Sequence, residues 1–199
     1  YSQSRHIEAQ HKQLKESEEK YRSIFENAME GIFQSSLAGR FISANSALAR
    51  ILGYDSPEQL IEHIIDVKTQ VYAVPDQRDE FVRLIKAHGI VTGFECQQYR
   101  KDNTVIWVSI NAKLVSDDNG NILFIQGFLE DITVRRDKEK AEREREIAEA
   151  ANKKITDSIN YAKMIQQSLL PNLDIVKSYL PNSFFVWEPR DIVGGDIFY

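Results

Sequence analysis

The protein has 199 residues, 42% of them apolar, which allows one ordinary domain with a real core and some extensions. A formal net charge of −5 excludes a domain-wide basic field for nucleic acid or an anionic membrane, and the single cysteine, Cys96, excludes an intrachain disulfide framework. The lone cysteine suits a reducing compartment, so the expected location is the cytoplasm, and with no apolar run of the ~20 residues of a bilayer span and no signal-peptide layout, no membrane segment is expected within these residues.

Residues 2–29 contain no Gly or Pro and space Ile7, Leu14, Tyr21 and Ala28 by sevens, which predicts an amphipathic helix over residues 1–29. Two short β-rich runs, 31–35 and 40–44, flank the glycine-containing turn 36–39 and read as a hairpin. Asn45 or Ser46 can cap a short helix carrying Leu48, Ile51 and Leu52, which Gly53 would end. Ser56-Pro57-Glu58-Gln59 starts a second helix, with Gln59 placed to reach back to the cap. A third runs from about Asp76 to Gly89 and should bury Phe81, Leu84 and Ile85. Strands follow at 94–99, through the clear alternation of Ile106, Val108, Ile110, Ala112 and Leu114, and at 122–130, with turns at 100–103 and 117–120. The order of helix, two strands, three short helices, three strands and helix predicts an α+β fold, with a five-stranded antiparallel sheet and helices on one face.

Beyond the last strand, Val134, Ala141, Ala148, Ile155, Ala162 and Leu169 fall seven apart, and Ala151, Ser158 and Ile165 fill the matching second line. This predicts a coiled-coil helix over 134–170 and a parallel homodimer. The seam is weak at first, because Asp137 and Glu144 occupy core positions. The charged run 135–146, neutral only at Ala141, reads as a solvated helix face supported by pairs such as Glu139 with Arg143. Pro171 would end the helix, and Phe184-Phe185-Val186-Trp187 is a β-like run.

Two resemblances cover most of the chain. Tyr21-Arg22-Ser23-Ile24-Phe25-Glu26-Asn27-Ala28, the stretch from Asn45 to Tyr54, Arg100-Lys101-Asp102-Asn103 with the strand after it, and Asp131-Ile132-Thr133 together resemble a PAS sensor domain over 18–133. Ile165-Gln166-Gln167-Ser168-Leu169-Leu170-Pro171 followed by Asp191-Ile192-Val193-Gly194-Gly195-Asp196 resembles the entry to a SpoIIE-type, PPM-class metal-dependent Ser/Thr phosphatase, whose start would occupy 171–199. These resemblances imply a sensor that dimerises and controls a phosphatase through a coiled coil. They further imply a phosphorylated regulatory protein, such as an anti-sigma factor antagonist, as substrate of the parent. A ligand-dependent interaction module without catalytic output is the alternative. A sensor kinase whose visible helix carries the phosphoacceptor is excluded, because no histidine follows His88.

The candidate site residues follow from this reading. By resemblance Asp196 would bridge two Mn²⁺ or Mg²⁺ ions that share an activated water, two glycines letting the backbone turn sharply before it; alone, a Gly-Gly-Asp turn is only a turn. The later carboxylates of such a site are missing, so this fragment should not hydrolyse phosphate. A pocket for an unidentified small ligand would be lined by Phe33, Ile42, Leu52, Val108, Ile110 and Ala112, although apolar faces of this kind commonly form a plain packed core. Flavin is disfavoured, since Cys96 lies on a strand and Val108 and Leu129 hold positions where flavin-binding members carry Asn and Gln. Haem would need His63 or His88 as its axial ligand. Asp131 and Thr133, at the joint between the last strand and the outgoing helix, are implied to transmit the signal and can equally cap that helix.

Overall fold

The computed structural model describes residues 2–169, 175, 178–179 and 181–182. The chain divides into two compact units, Tyr1–Asp137 and Lys138–Tyr199.

In the first unit, helix α1 (Ser2–Asn27) leads into β1 (Gly31–Ser35) and β2 (Phe41–Ala44). Four helices follow, α2 (Ser46–Ile51), α3 (Pro57–His63), α4 (Val67–Gln70) and α5 (Pro75–His88). Strands β3 (Ile90–Tyr99), β4 (Val105–Ser116) and β5 (Ile122–Asp131) complete a five-stranded antiparallel sheet in the order β2-β1-β5-β4-β3, and α6 (Thr133–Leu169) begins two residues later. The α+β architecture expected from the sequence is therefore present, with α2 to α5 packed on one face. Pairing of β1 with β5 brings the first and last strands together at the centre, Phe33 opposite Gly127.

Local chemistry sets most of the boundaries. Asn45 caps α2 by accepting from the Leu48 N–H at 2.9 Å. Ser56 caps α3 by accepting from Gln59, whose Oε1 receives the Asp55 N–H at 3.0 Å. Gly89, with φ of 73°, closes α5. The core gathers Leu48, Leu52, Leu60, Phe81, Ile85, Val108 and Ile125, all essentially inaccessible to solvent. Leu84, expected there too, is only partly buried at its edge.

Three features differ from the sequence reading. Helix α4 is an addition, a single turn too short to show helical periodicity, capped by Asp66 on the Lys68 N–H at 2.9 Å. Strand β3 begins at Ile90 rather than 94, because Gly93, at φ of 63°, absorbs a register shift between Val91 and Phe94 that interrupts the alternation. Ile42 does not face the interior: it is 51% exposed, while Phe41 and Ala44 point inward. The cause is a bulge. Gln34 pairs with Ser43 and Ser35 with Phe41, which leaves Ile42 without an opposite residue and turns Phe41 inward in its place.

In the second unit the helix continues unbroken to Leu169. Among the described residues its ion pairs are Lys138–Glu142, Lys140–Glu144 and Arg145–Glu149, rather than Glu139 with Arg143, and all are exposed and of small energetic weight. Val134, in the first turn of α6, is exposed, as are Ala141, Ala148, Ala151, Ile155, Ala162 and Ile165 in the single chain. Pro171, the run 184–187 and Asp196 lie outside the described residues.

Candidate functional site: a polar-lined cavity and the joint beneath it

A small cavity lies between the inner face of the sheet and the helices. Phe33 and Ser35 of β1, Phe41 of β2, Gln98 of β3, Ile110 of β4 and Leu129 of β5 form the sheet side. Val67 of α4, the following Tyr72, and Arg78 and Phe81 of α5 form the helical side. About 20 Å³ is open to the centre of a water-sized atom. Gly127 helps shape this wall. A Cβ there would meet Asn111 O at 2.7 Å and the Phe33 ring at 2.9 Å, so only bare backbone lets Phe33 lie across β5.

The lining is more polar than the sequence suggested. Among the described residues Ser35 Oγ, Arg78 Nη2 and Gln98 Oε1 are all buried without a hydrogen-bond partner. Beside them Cys96 is fully buried, and its thiol is pushed up to about 12, first by that burial and against the hydrogen bonds from Gln98 and Tyr72. Burial also raises the Tyr72 phenol, followed in weight by the neighbouring Cys96. Both groups are neutral at ordinary pH. Of the residues singled out from sequence, Phe33 and Ile110 line this cavity. Leu52 and Val108 are buried in the core around it, Ala112 is buried nearer a separate groove by Ile90 and Phe128, and Ile42 is on the outside. Ser35, Arg78 and Gln98 were missed although parity could have found them: Ser35 is two residues from Phe33, Gln98 two from Cys96, and Arg78 stands three and seven residues before Phe81 and Ile85 on the apolar stripe of α5.

The second element of the site is the joint between β5 and α6. Asp131 Oδ1 accepts from the Thr133 N–H at 3.0 Å and the Thr133 hydroxyl at 2.6 Å, while Oδ2 accepts from Arg100 Nη2 at 2.8 Å. Arg100 Nε in turn donates to the Ile51 carbonyl at 3.0 Å, at the end of α2. Thr133 Oγ1 accepts from the Trp107 N–H on β4 at 2.9 Å. One carboxylate therefore connects the end of α2, the β3–β4 turn and the first turn of α6. On the outer face Glu95 accepts from Arg135 at 2.9 Å and also from Arg136, whose guanidinium lies 4.4 Å over the Trp107 ring. Capping and linkage thus coexist at Asp131.

Among the described residues no group of three or more His, Cys, Asp or Glu is placed to hold a metal ion, and no helix is long and apolar enough to cross a membrane. His63 and His88 are exposed and neither lines the cavity.

An antiparallel sheet covered by helices on one face, a cavity between the two layers and a helix leaving the last strand through a hydrogen-bonded joint define a small α+β domain of one recognisable class. Residues 29–134 match the family model of the PAS domain, more than half the chain, and the chain belongs to the PAS family. The sensor histidine kinase TmoS of Ectopseudomonas mendocina is 25% identical over 123 residues, which make up 62% of this chain but only 12% of that protein. Among solved structures, the PAS domain of a protein from Colwellia psychrerythraea is 22% identical, with 58% of this chain and 96% of that chain covered and a TM-score of 0.49. A domain of the sensory box sensor histidine kinase/response regulator from Geobacter sulfurreducens is also 22% identical, covering 59% and 96% of the two chains with a TM-score of 0.46. The protein carries a PAS sensory domain of the kind found in sensor histidine kinases.

Proposed function

We propose that this chain is the sensory and linker portion of a dimeric signalling protein whose output is a metal-dependent serine/threonine phosphatase of the SpoIIE type. The observation that carries the sensory half is the Asp131 joint. A shift of β4, β5 or the β3–β4 turn alters the partners of Asp131 and Thr133, and these hold the first turn of α6. The sheet is thereby coupled to the helix that would form the dimer seam, and a seam weak at Asp137 and Glu144 but apolar from Ile155 onward can hold two registers of similar energy.

The catalytic half rests on sequence, on the segment from Ile165 to Pro171 and on Asp191 to Asp196. In this reading Asp196 holds Mn²⁺ or Mg²⁺, which supplies an activated water when bound. The substrate is a phosphoserine or phosphothreonine on a small regulatory protein, such as an anti-sigma factor antagonist. Likeness to a sensor histidine kinase supports the sensory role, and kinase output through the visible helix is disfavoured because no histidine follows His88.

The test is the product of the whole gene. The reading requires it to continue about 200 residues past Tyr199, a domain length, with further carboxylates. That protein should release phosphate from a phosphoserine protein with Mn²⁺, lose the activity in EDTA, and lose at least about a hundredfold with Asp196→Asn. A full-length protein with no Mn²⁺-dependent hydrolysis would remove the phosphatase output.

A further inference from the structure

We infer that the cavity beneath the sheet receives a small monocarboxylate, held by the Arg78 guanidinium and the Ser35 hydroxyl. This rests on the sensory reading above and names the ligand chemistry of that same domain.

Arg78 is 5% exposed, and among the described residues it makes no ion pair and its Nη2 has no hydrogen-bond partner. An arginine keeps its charge at every accessible pH, and a buried charge without a counter-ion is among the most costly arrangements in a protein interior. The surroundings compensate it only in part: the Tyr72 hydroxyl lies within hydrogen-bonding reach of the guanidinium but brings no charge. No Asp or Glu lines the cavity, and burial keeps the adjacent Tyr72 and Cys96 in their neutral forms. The Phe81 ring, 5.3 Å from the guanidinium carbon, offers a face to the cation but no acceptor for its N–H groups.

Two further observations are independent of Arg78. Ser35 Oγ on β1 and Gln98 Oε1 on β3, each residue 2% exposed, also lack partners, although buried polar atoms in native proteins are nearly always paired. Three elements therefore direct unpartnered polar atoms at one hole. Water could bridge such groups but brings no charge. An anion supplies the charge and the acceptor oxygens that Arg78 and Ser35 lack, and the shape of the cavity narrows the class. The free space as it stands holds little more than a water molecule, so only the smallest anions can enter and the side chains must give way to admit one, and the remaining wall is aromatic or aliphatic, formed by Phe33, Phe41, Ile110 and Leu129. The carboxylate of a ligand such as acetate offers two acceptors, to Arg78 and Ser35, and its methyl group meets that wall. A phosphate dianion, larger and more strongly hydrated, suits the apolar wall poorly.

The experiment uses this chain and acetate as the probe. Thermal unfolding and calorimetric titration at pH 7 are run in sodium acetate, in sodium chloride at equal ionic strength, and with acetamide, acetate's neutral shape analogue. A saturable rise in Tm with acetate alone is expected. Arg78→Met should unfold at the same or a higher temperature than the unmodified chain without acetate, since it removes the unpaired charge, and should lose the acetate response. Ser35→Ala should keep the fold and raise the half-saturating acetate concentration by roughly fivefold or more. Equal shifts with chloride or acetamide would overturn the carboxylate assignment, as would no shift at all or an undiminished response in Arg78→Met. If Arg78→Met does not fold, an unaltered acetate midpoint in Ser35→Ala overturns it. None of these readouts reports dimerisation or phosphate release, so their failure leaves the signalling route standing, and a failed phosphatase assay leaves an acetate response intact.

Discussion

Asn45 shows how much one buried side chain can organise. Its Nδ2 donates to the carbonyls of Phe25 at 2.9 Å and Glu30 at 3.0 Å, and its Oδ1 accepts from the N–H groups of Ile32 and Leu48, both at 2.9 Å. The end of α1, the start of β1 and the cap of α2 meet on this amide. Asn45→Ala removes all of these bonds and leaves one buried and several part-buried backbone groups unpaired, so urea unfolding should show a loss of about 2–4 kcal/mol, well beyond the ~1 kcal/mol of an ordinary cap. Cys96 makes a prediction about pH. Its folded-state value is raised from 9.0 to about 12, chiefly by burial, so the unfolded chain loses the thiol proton first as pH rises. The stabilisation is complete below pH 9 and is lost between there and about 12, by about 1.4 kcal/mol per pH unit at the steepest. Urea unfolding at pH 8 and pH 10 should show a larger drop in the native chain than in Cys96→Ala; equal drops would mean that the thiol titrates normally.

At the scale of elements, the joint between β5 and α6 is where sheet and helix are tied. Asp131→Ala takes away the acceptor for Arg100 and for both Thr133 groups, so amide exchange should speed up in the first turn of α6 and stability fall by about 1–3 kcal/mol. Asp131→Asn keeps an acceptor for Thr133 but loses the charge facing Arg100 and should lie in between. An unchanged exchange rate in the alanine variant would show that the helix start is held by Glu95, Arg135 and Arg136 instead. The β2 bulge belongs to this scale as well. One unpaired residue exchanges Ile42 for Phe41 at the cavity wall, which strand periodicity cannot foresee because it assumes an uninterrupted ladder.

For the whole molecule, the proposal requires two copies of α6 side by side. Ile155 and Ile165 are 57% and 43% exposed in the single chain, an arrangement that leaves an apolar stripe to be covered. Ile155→Glu combined with Ile165→Glu should give a monomer in light scattering, and a double variant that remains dimeric would show that the seam lies elsewhere. Much of this plan is legible in the sequence because it is written in local chemistry: the caps Asn45 and Ser56, the stop at Gly89, the period-two pattern from Ile106 to Leu114 and the period-seven pattern from Val134 depend only on neighbours along the chain. The sequence by itself thus determined the element types, the antiparallel sheet and the long outgoing helix. Only the tertiary structure decided that Ser35, Gln98 and Arg78 converge on one cavity, that Ile42 turns outward and that Arg100 reaches Asp131, because each depends on the pairing of strands and helices distant in sequence and on a register that a single bulge can reverse.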